Sequence, residues 1–95
     1  MPTYVMLSRL SPEGVKTLKS NPDRVKEVNQ EVERLGVRVL SQHALLGAYD
    51  FITVLEAPDA ETVARVSVEL GSRGTASYET LTAIPVDDFI ASLKG

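Results

Sequence analysis

The stretch Val37–Glu56, with the sequence VRVLSQHALLGAYDFITVLE, decides the fold of this 95-residue chain. Its two halves, Val37–Leu46 and Tyr49–Glu56, are rich in the β-branched, aromatic and long apolar residues that favour strands. Only Gly47 and Ala48 separate the two halves. So short a connection predicts an antiparallel hairpin in the middle of the chain.

Helices and further strands flank this hairpin on both sides. Thr3–Leu10 predicts a first strand and Thr75–Ile84 a fourth. Between each of them and the hairpin, apolar residues recur at helical spacing in a segment that glycine ends. The order β-α-β-β-α-β matches the ferredoxin-like arrangement, because right-handed crossovers place both long helices on one face of a four-stranded antiparallel sheet. We expect a single α+β domain over residues 1–95, with a short C-terminal helix.

Two of the predicted strands are apolar on both faces. In the first strand Tyr4 and Met6 point one way while Val5 and Leu7 point the other, and the third strand has the same property. Helices cover one face of this architecture and leave the other open. An apolar sheet face needs a cover, and an identical chain is the simplest one. We therefore expect a homodimer or a higher homo-oligomer whose sheets pair into a barrel.

The C-terminal segment offers an alternative cover for the open sheet face. Val86, Phe89, Ile90 and Leu93 recur at the spacing of one face of a helix that Pro85 can open. This short helix could fold back over the sheet of its own chain. The sequence leaves both arrangements open.

Composition argues against several classes of protein. The net charge of -3 is opposite in sign to that of proteins that bind nucleic acid or an anionic membrane surface. Without cysteine the chain forms no disulfide, thiolate metal site or iron–sulfur cluster, and one histidine offers no paired metal-ligand spacing. It has no run of about 18 apolar residues and no signal-peptide pattern. We expect a cytoplasmic protein with no metal, cofactor, nucleic acid or membrane partner.

Four short motifs together resemble the GYD-domain family. They are Gly47-Ala48-Tyr49-Asp50 at the hairpin, Glu56-Ala57-Pro58-Asp59 before the second long helix, Leu70-Gly71-Ser72-Arg73-Gly74 after it, and Glu79-Thr80-Leu81 in the last strand. The likeness runs from Pro2 to Phe89, with Ala48 interrupting the tripeptide that names the family. That family is similar to the dimeric α/β-barrel superfamily, which implies paired ferredoxin-like protomers and leaves the function unassigned.

Aromatic and polar side chains are the candidates for a binding site. Gly47 can adopt a positive φ, Tyr49 can lay its ring against the sheet, and Asp50 can accept backbone hydrogen bonds, so all three also have structural roles to fill. The predicted site for a small-molecule ligand comprises Tyr4, Arg9, His43, Tyr49 and Tyr78. A homodimeric small-molecule-binding or regulatory protein is the first interpretation.

A cofactor-independent enzyme of the isomerase, tautomerase or monooxygenase type is the alternative. His43, the only imidazole, could act as a general base, and Asp50 is the second candidate catalytic residue. Removal of Met1 would instead expose the Pro2 amine as a base, with Arg9, Arg38 or Arg73 holding an anionic substrate. A structural or assembly protein without a ligand is the third interpretation.

Overall fold

A computed structural model of the chain describes residues 1–95 and contains one four-stranded sheet. In chain order the elements are β1 (Thr3–Leu10), α1 (Pro12–Ser20), α2 (Arg24–Arg34), β2 (Arg38–Ala44), β3 (Phe51–Glu56), α3 (Ala60–Gly71), β4 (Ala76–Ala83) and α4 (Val86–Leu93). The strand order is β2-β3-β1-β4, and every neighbouring pair is antiparallel. The predicted ferredoxin-like α+β fold with a short C-terminal helix is confirmed.

Side-chain caps fix where two of the helices begin. The Ser11 hydroxyl accepts a hydrogen bond from the backbone N–H of Gly14 at 3.1 Å at the start of α1. The Asp59 carboxylate accepts from the backbone N–H of Thr62 at 2.8 Å at the start of α3. Each contact satisfies a backbone donor that has no partner within its helix. In both places a proline lies beside the cap, Pro12 after Ser11 and Pro58 before Asp59, and separates the helix from the preceding strand.

The connection between β2 and β3 is longer than the two residues that the sequence predicted. Both strands stop short of the turn, so residues 45–50 form the connection. Gly47 has a φ of 126°, which turns the chain out of the extended conformation. Asp50 then donates its backbone N–H to the Ser8 carbonyl oxygen at 2.8 Å, while its own carbonyl accepts from the Leu45 N–H at 2.7 Å. The antiparallel pairing of the hairpin is confirmed, with a wider loop.

A β-bulge in β2 changes which face the later residues of this strand occupy. Val39 pairs with Leu55 and Ser41 pairs with Val54, so Leu40 is the extra residue. Before the bulge, Val39 shares the helix-covered face of its partner Leu55. After it the alternation is reversed, and His43 lies opposite Ile52 on the other face.

The hydrophobic core lies between the sheet and the helices. Tyr4 and Met6 of β1 are buried there, whereas Val5 and Leu7 are half-buried on the other face, as the alternation predicted. Nine buried apolar residues form the core: Tyr4, Met6, Val32, Val37, Leu55, Ala57, Val63, Val66 and Leu70. Only β1 and α3 carry more than one of them, so the packing around α1 and α2 is sparse.

The helix α4 does not cover the open side of the sheet. None of its residues is buried, and Val86 and Leu93 are 68% and 71% exposed. The chain has an accessible surface of 6363 Å², whereas a folded monomer of this mass exposes about 5,400 Å². Its radius of gyration is 14.3 Å, against about 12.4 Å for a compact domain of this length. The apolar surface of α4 and of the sheet is therefore without a cover from the chain itself.

Candidate functional site

The uncovered side of the sheet carries a continuous apolar patch, which we call the open face. Its members are the half-buried or exposed residues Val5, Leu7, Ile52, Val54 and Leu81. Val5 of β1 lies between Val54 of β3 and Leu81 of β4, and Leu7 lies beside Ile52. These side chains are direct cross-strand neighbours, which pack against one another and present one apolar surface.

At the hairpin end of the open face, Arg9, Tyr49 and Glu79 form a polar cluster. The Arg9 Nε donates a hydrogen bond to the Ala48 carbonyl oxygen at 2.8 Å, and its guanidinium carbon lies 4.6 Å from the centroid of the Tyr49 ring. The Tyr49 hydroxyl donates a hydrogen bond to the Glu79 carboxylate. This bond raises the pKa of Tyr49, because ionisation would place a second negative charge beside Glu79.

Asp50 anchors the hairpin loop to β1. Its carboxylate accepts a hydrogen bond from the Leu10 backbone N–H at 2.7 Å, and its own N–H binds the Ser8 carbonyl oxygen. The Gly-x-Tyr-Asp segment thus holds β1 at two positions near one end of the strand. The expected capture of a backbone amide by Asp50 is confirmed, and it gives this carboxylate a structural role.

His43 lies on the open face but outside the polar cluster. It is exposed and pairs with Ile52, which in turn pairs with Leu7. The hydrogen bonds of the cluster join Arg9, Tyr49, Glu79 and a backbone carbonyl and do not include the imidazole. The structure therefore shows no carboxylate that orients His43 as a general base, and its catalytic role stays a sequence-based prediction.

The five predicted ligand residues divide between the two faces of the sheet. Arg9, His43 and Tyr49 are on the open side, where the first and the last are in contact. Tyr4 belongs to the core on the helix-covered side, and Tyr78 is packed against that core. Because a sheet separates the two groups, the five do not surround one site within a single chain.

The three arginines that could hold an anionic substrate beside the Pro2 amine lie in different parts of the fold. Arg38 forms a long ion pair with Glu56, at 4.0 Å, at the end of the sheet where Pro2 enters β1. Arg9 lies at the opposite end of β1, and Arg73 follows α3 and binds other side chains. Of the three candidates, only Arg38 lies at the Pro2 end of the sheet.

The helix-covered side holds a cavity of about 330 Å³ that the sequence did not predict. It lies between α1, α2 and the sheet, and a hydrogen-bonded row of three side chains forms its polar wall. The Asn29 Nδ2 donates to the Gln42 Oε1 at 2.7 Å, and the Gln42 Nε2 donates to the Thr53 Oγ1 at 3.0 Å. The signal that could have indicated it is the presence of small or polar residues on the covered face of the strands, such as Ser8 and Thr53.

Two further features bear on function. No group of three or more His, Asp and Glu side chains is placed to hold a metal ion. The longest helix, α3, has 12 residues, and no helix is long and apolar enough to cross a bilayer.

Comparison with known proteins places the chain in a family. The GYD domain model matches residues 4–93, which is nearly the whole sequence. The chain belongs to the GYD domain family. A similar protein from Thermus thermophilus, named glutamine synthetase and cystathionine beta-lyase binding protein, is 58% identical over 95 residues, with 99% of this chain and 100% of that protein covered.

A solved structure supports the fold. The crystal structure of TTHA0845 from Thermus thermophilus has a TM-score of 0.56 to this chain and 23% sequence identity. The match covers 90% of this chain and 95% of that one. At this level of identity, the likeness supports the shared architecture and carries no statement about ligands.

Proposed function

We propose that this GYD domain protein is a regulatory binding protein that associates, as a homodimer, with metabolic enzymes such as glutamine synthetase. The observation that carries the proposal is the 58% identity, over the full length of both chains, to a protein named for binding glutamine synthetase and cystathionine β-lyase. Identity that extends from end to end includes surface residues as well as the core. We therefore expect this chain and its relative to share a surface that binds a partner enzyme, which a match confined to core residues would not support.

The unburied surface supports the dimer. The chain exposes about 1,000 Å² more than a compact monomer of its mass, from the difference between 6363 Å² and about 5,400 Å². A stable interface of ordinary size buries about 800 Å² on each partner. The excess is therefore of the size that one dimer contact removes, and the open face is a continuous apolar region available for it.

The helix α4 supports the same assignment. It has eight residues and no side-chain N-cap, and none of its residues is buried. An isolated helix of fewer than about 12 residues is marginal in water, because packing of its apolar face supplies most of the stability. Phe89 and Ile90 lie on the apolar stripe of α4 and are exposed. We assign that stripe to contacts with the second copy of the chain.

Charges around the open face do not oppose its burial. Arg38 is paired with Glu56 within the chain, and Arg9 and Glu79 both contact Tyr49. Burying an unpaired charge at an interface is costly, but Arg38 and Glu56 lie at the Pro2 end of the sheet and Arg9 and Glu79 at the hairpin end. Two open faces can therefore meet through their apolar centres while these charged groups stay at the two ends of the sheet.

Binding to enzymes is tested with purified components. The protein is immobilised, and glutamine synthetase and cystathionine β-lyase from the same organism are passed over it separately in a surface plasmon resonance experiment. An unrelated oligomeric enzyme of similar size and charge serves as the control. Saturable binding of at least one of the two enzymes, absent for the control, is expected. Failure of both to bind would overturn the proposed enzyme partners.

The dimer is tested by sedimentation equilibrium of the wild-type chain and of two matched variants. Val54→Glu places a charge in the open face, whereas Val68→Glu places the same charge on α3, where Val68 is already 71% exposed. We expect twice the 10.3 kDa chain mass for the wild type and for V68E, and dissociation for V54E. Circular dichroism checks that V54E is folded. A wild-type mass of 10.3 kDa at micromolar concentration would refute the dimer independently of either variant.

A further inference from the structure

The cavity on the helix-covered side has no role in the proposed dimer or in enzyme binding. Its volume of about 330 Å³ is at the lower end of the range for small-molecule sites, which is about 300 to 1,000 Å³. The lining is mainly apolar and includes Met6, Val28, Val39 and Phe51. A lining of this kind suits an apolar molecule smaller than most drugs.

Two residues with hydroxyl groups line this cavity from neighbouring strands. Ser8 of β1 and Tyr78 of β4 are register partners, and both line the cavity. Ser8 is a buried polar residue, and burial raises the pKa of Tyr78. The Tyr78 phenol is thus neutral at pH 7 and can donate a hydrogen bond as well as accept one. The two residues thus lie side by side in the wall of a mainly apolar cavity with a few polar groups, which is the usual form of a ligand site.

Ion pairs neutralise the charged groups at the rim of the cavity. Arg73 binds Glu31 at 2.6 Å and Glu69 at 3.4 Å, and Arg24 binds Glu31 at 3.0 Å. Arg24 also binds Glu27 at 3.3 Å, so two guanidinium groups face three carboxylates. A carboxylate or phosphate ligand would have to compete with Glu31 and Glu69 for them. The rim thus favours an uncharged ligand.

We propose that this cavity binds a neutral, mainly apolar small molecule of about 10 to 15 non-hydrogen atoms, whose single hydroxyl or carbonyl oxygen hydrogen-bonds to Tyr78 and Ser8. Aromatic alcohols and ketones are the chemical class that meets these requirements. The assignment is independent of the proposed dimer, since the cavity lies on the opposite side of the sheet from the open face.

The test uses three probes that share one ring system: 2-naphthol, naphthalene and 2-naphthoate. Each is titrated into the isotope-labelled wild-type protein and followed by two-dimensional NMR of the backbone amides. We expect saturable binding of 2-naphthol, with shifts centred on Ser8, Gln42 and Tyr78. Naphthalene should bind more weakly by about 2- to 10-fold, because it lacks the hydrogen-bonding oxygen, and 2-naphthoate should be the weakest.

Two variants assign the site. Tyr78→Phe keeps the ring and removes only the hydroxyl. It should therefore lower the affinity for 2-naphthol by about 2- to 10-fold and leave the affinity for naphthalene unchanged. Ser77→Ala removes a hydroxyl from the adjacent exposed position of β4 and should change neither of these two affinities. Shifts that map to the open face or to α4 would overturn the proposal, as would an absence of binding or an unchanged affinity of Y78F for 2-naphthol. None of these outcomes bears on whether the protein binds glutamine synthetase.

Discussion

Gly14 lies where α1 crosses the segment that leads into β4, and an alanine at this position tests the packing of the helix layer. A Cβ atom built on Gly14 would lie 2.1 Å from the carbonyl oxygen of Thr75 and 3.1 Å from its carbonyl carbon. Contacts shorter than 3.0 Å essentially never occur for a Cβ, so the two segments must separate by about 1 Å. The same crossing contributes to the lining of the cavity, since both residues face it.

The neighbouring hydrogen bonds add to the loss of stability that we expect for Gly14→Ala. Thr75 accepts from the Ser11 N–H at 2.9 Å, and the Ser11 hydroxyl donates to the Gly74 carbonyl oxygen at 2.8 Å. Separation strains these contacts and adds about 1 kcal/mol to an overpacking cost of about 1 to 3 kcal/mol. The greater helix propensity of alanine offsets about 1 kcal/mol. We expect Gly14→Ala to lower the free energy of unfolding by about 1 to 3 kcal/mol and Tm by about 5 to 20 °C.

Gly71→Ala is the matched control for this prediction. Gly71 ends α3, and a Cβ there would meet nothing within 4 Å. The same substitution should therefore raise stability by up to about 1 kcal/mol. Urea and thermal unfolding of the three proteins are compared at one protein concentration, because self-association would make Tm concentration-dependent. Equal stability of Gly14→Ala and the wild type would show that the close approach at Thr75 is not a constraint.

Three further predictions concern single carboxylates. Asp59→Ala removes the cap of α3 and should lower Tm by a few degrees, whereas an unchanged Tm would contradict the cap. The hydrogen bond from Arg73 holds the pKa of Glu31 below its ordinary value of 4.5, so this pair stabilises the fold above pH 4.5 and the benefit is lost as the pH falls through the lower, folded pKa. Glu31→Gln should therefore flatten the fall of Tm as the pH drops below about 5, and an equally steep fall would refute this linkage. Glu79→Gln should lower the raised pKa of Tyr49, as followed by NMR of the tyrosine ring carbons, and an unchanged value would contradict the hydrogen bond.

Strand alternation made much of the fold predictable from the sequence. Tyr4 and Met6 on one face of β1, and Val5 and Leu7 on the other, follow directly from the two-residue period of a strand. The order of strands and helices then leaves few topologies, because crossovers are right-handed. The bulge at Leu40 was not predictable, since no residue type there demands one, and it decides the face of every later residue in β2.

The candidate site was less predictable because it depends on register. Tyr78 and Tyr49 are both aromatic residues near the hairpin end of the sheet, and the sequence assigned them to one site. The pairing of Tyr78 with Ser8 places it on the covered face, whereas Tyr49 reaches Glu79 on the open side. The cavity was not predictable, since small or polar residues such as Ser8, Thr53 and Gly14 line it among larger apolar ones, and sequence periodicity indicates apolar faces rather than the gaps between them.

One strand, β1, contributes to both surfaces that we assign. Met6 and Ser8 line the cavity, and Val5 and Leu7 belong to the open face. Substitutions on one face leave the side chains of the other in place, so dimerisation and ligand binding can be changed separately. Any coupling between them must pass through the position of the shared backbone, and it must be reciprocal. Because each protomer of a symmetric dimer carries one cavity, a gain in 2-naphthol affinity per site on dimerisation must appear as the square of that factor in the dimerisation constant at saturating 2-naphthol. A departure from this square relation would mean that the probe binds at a further site on each protomer, such as the open face.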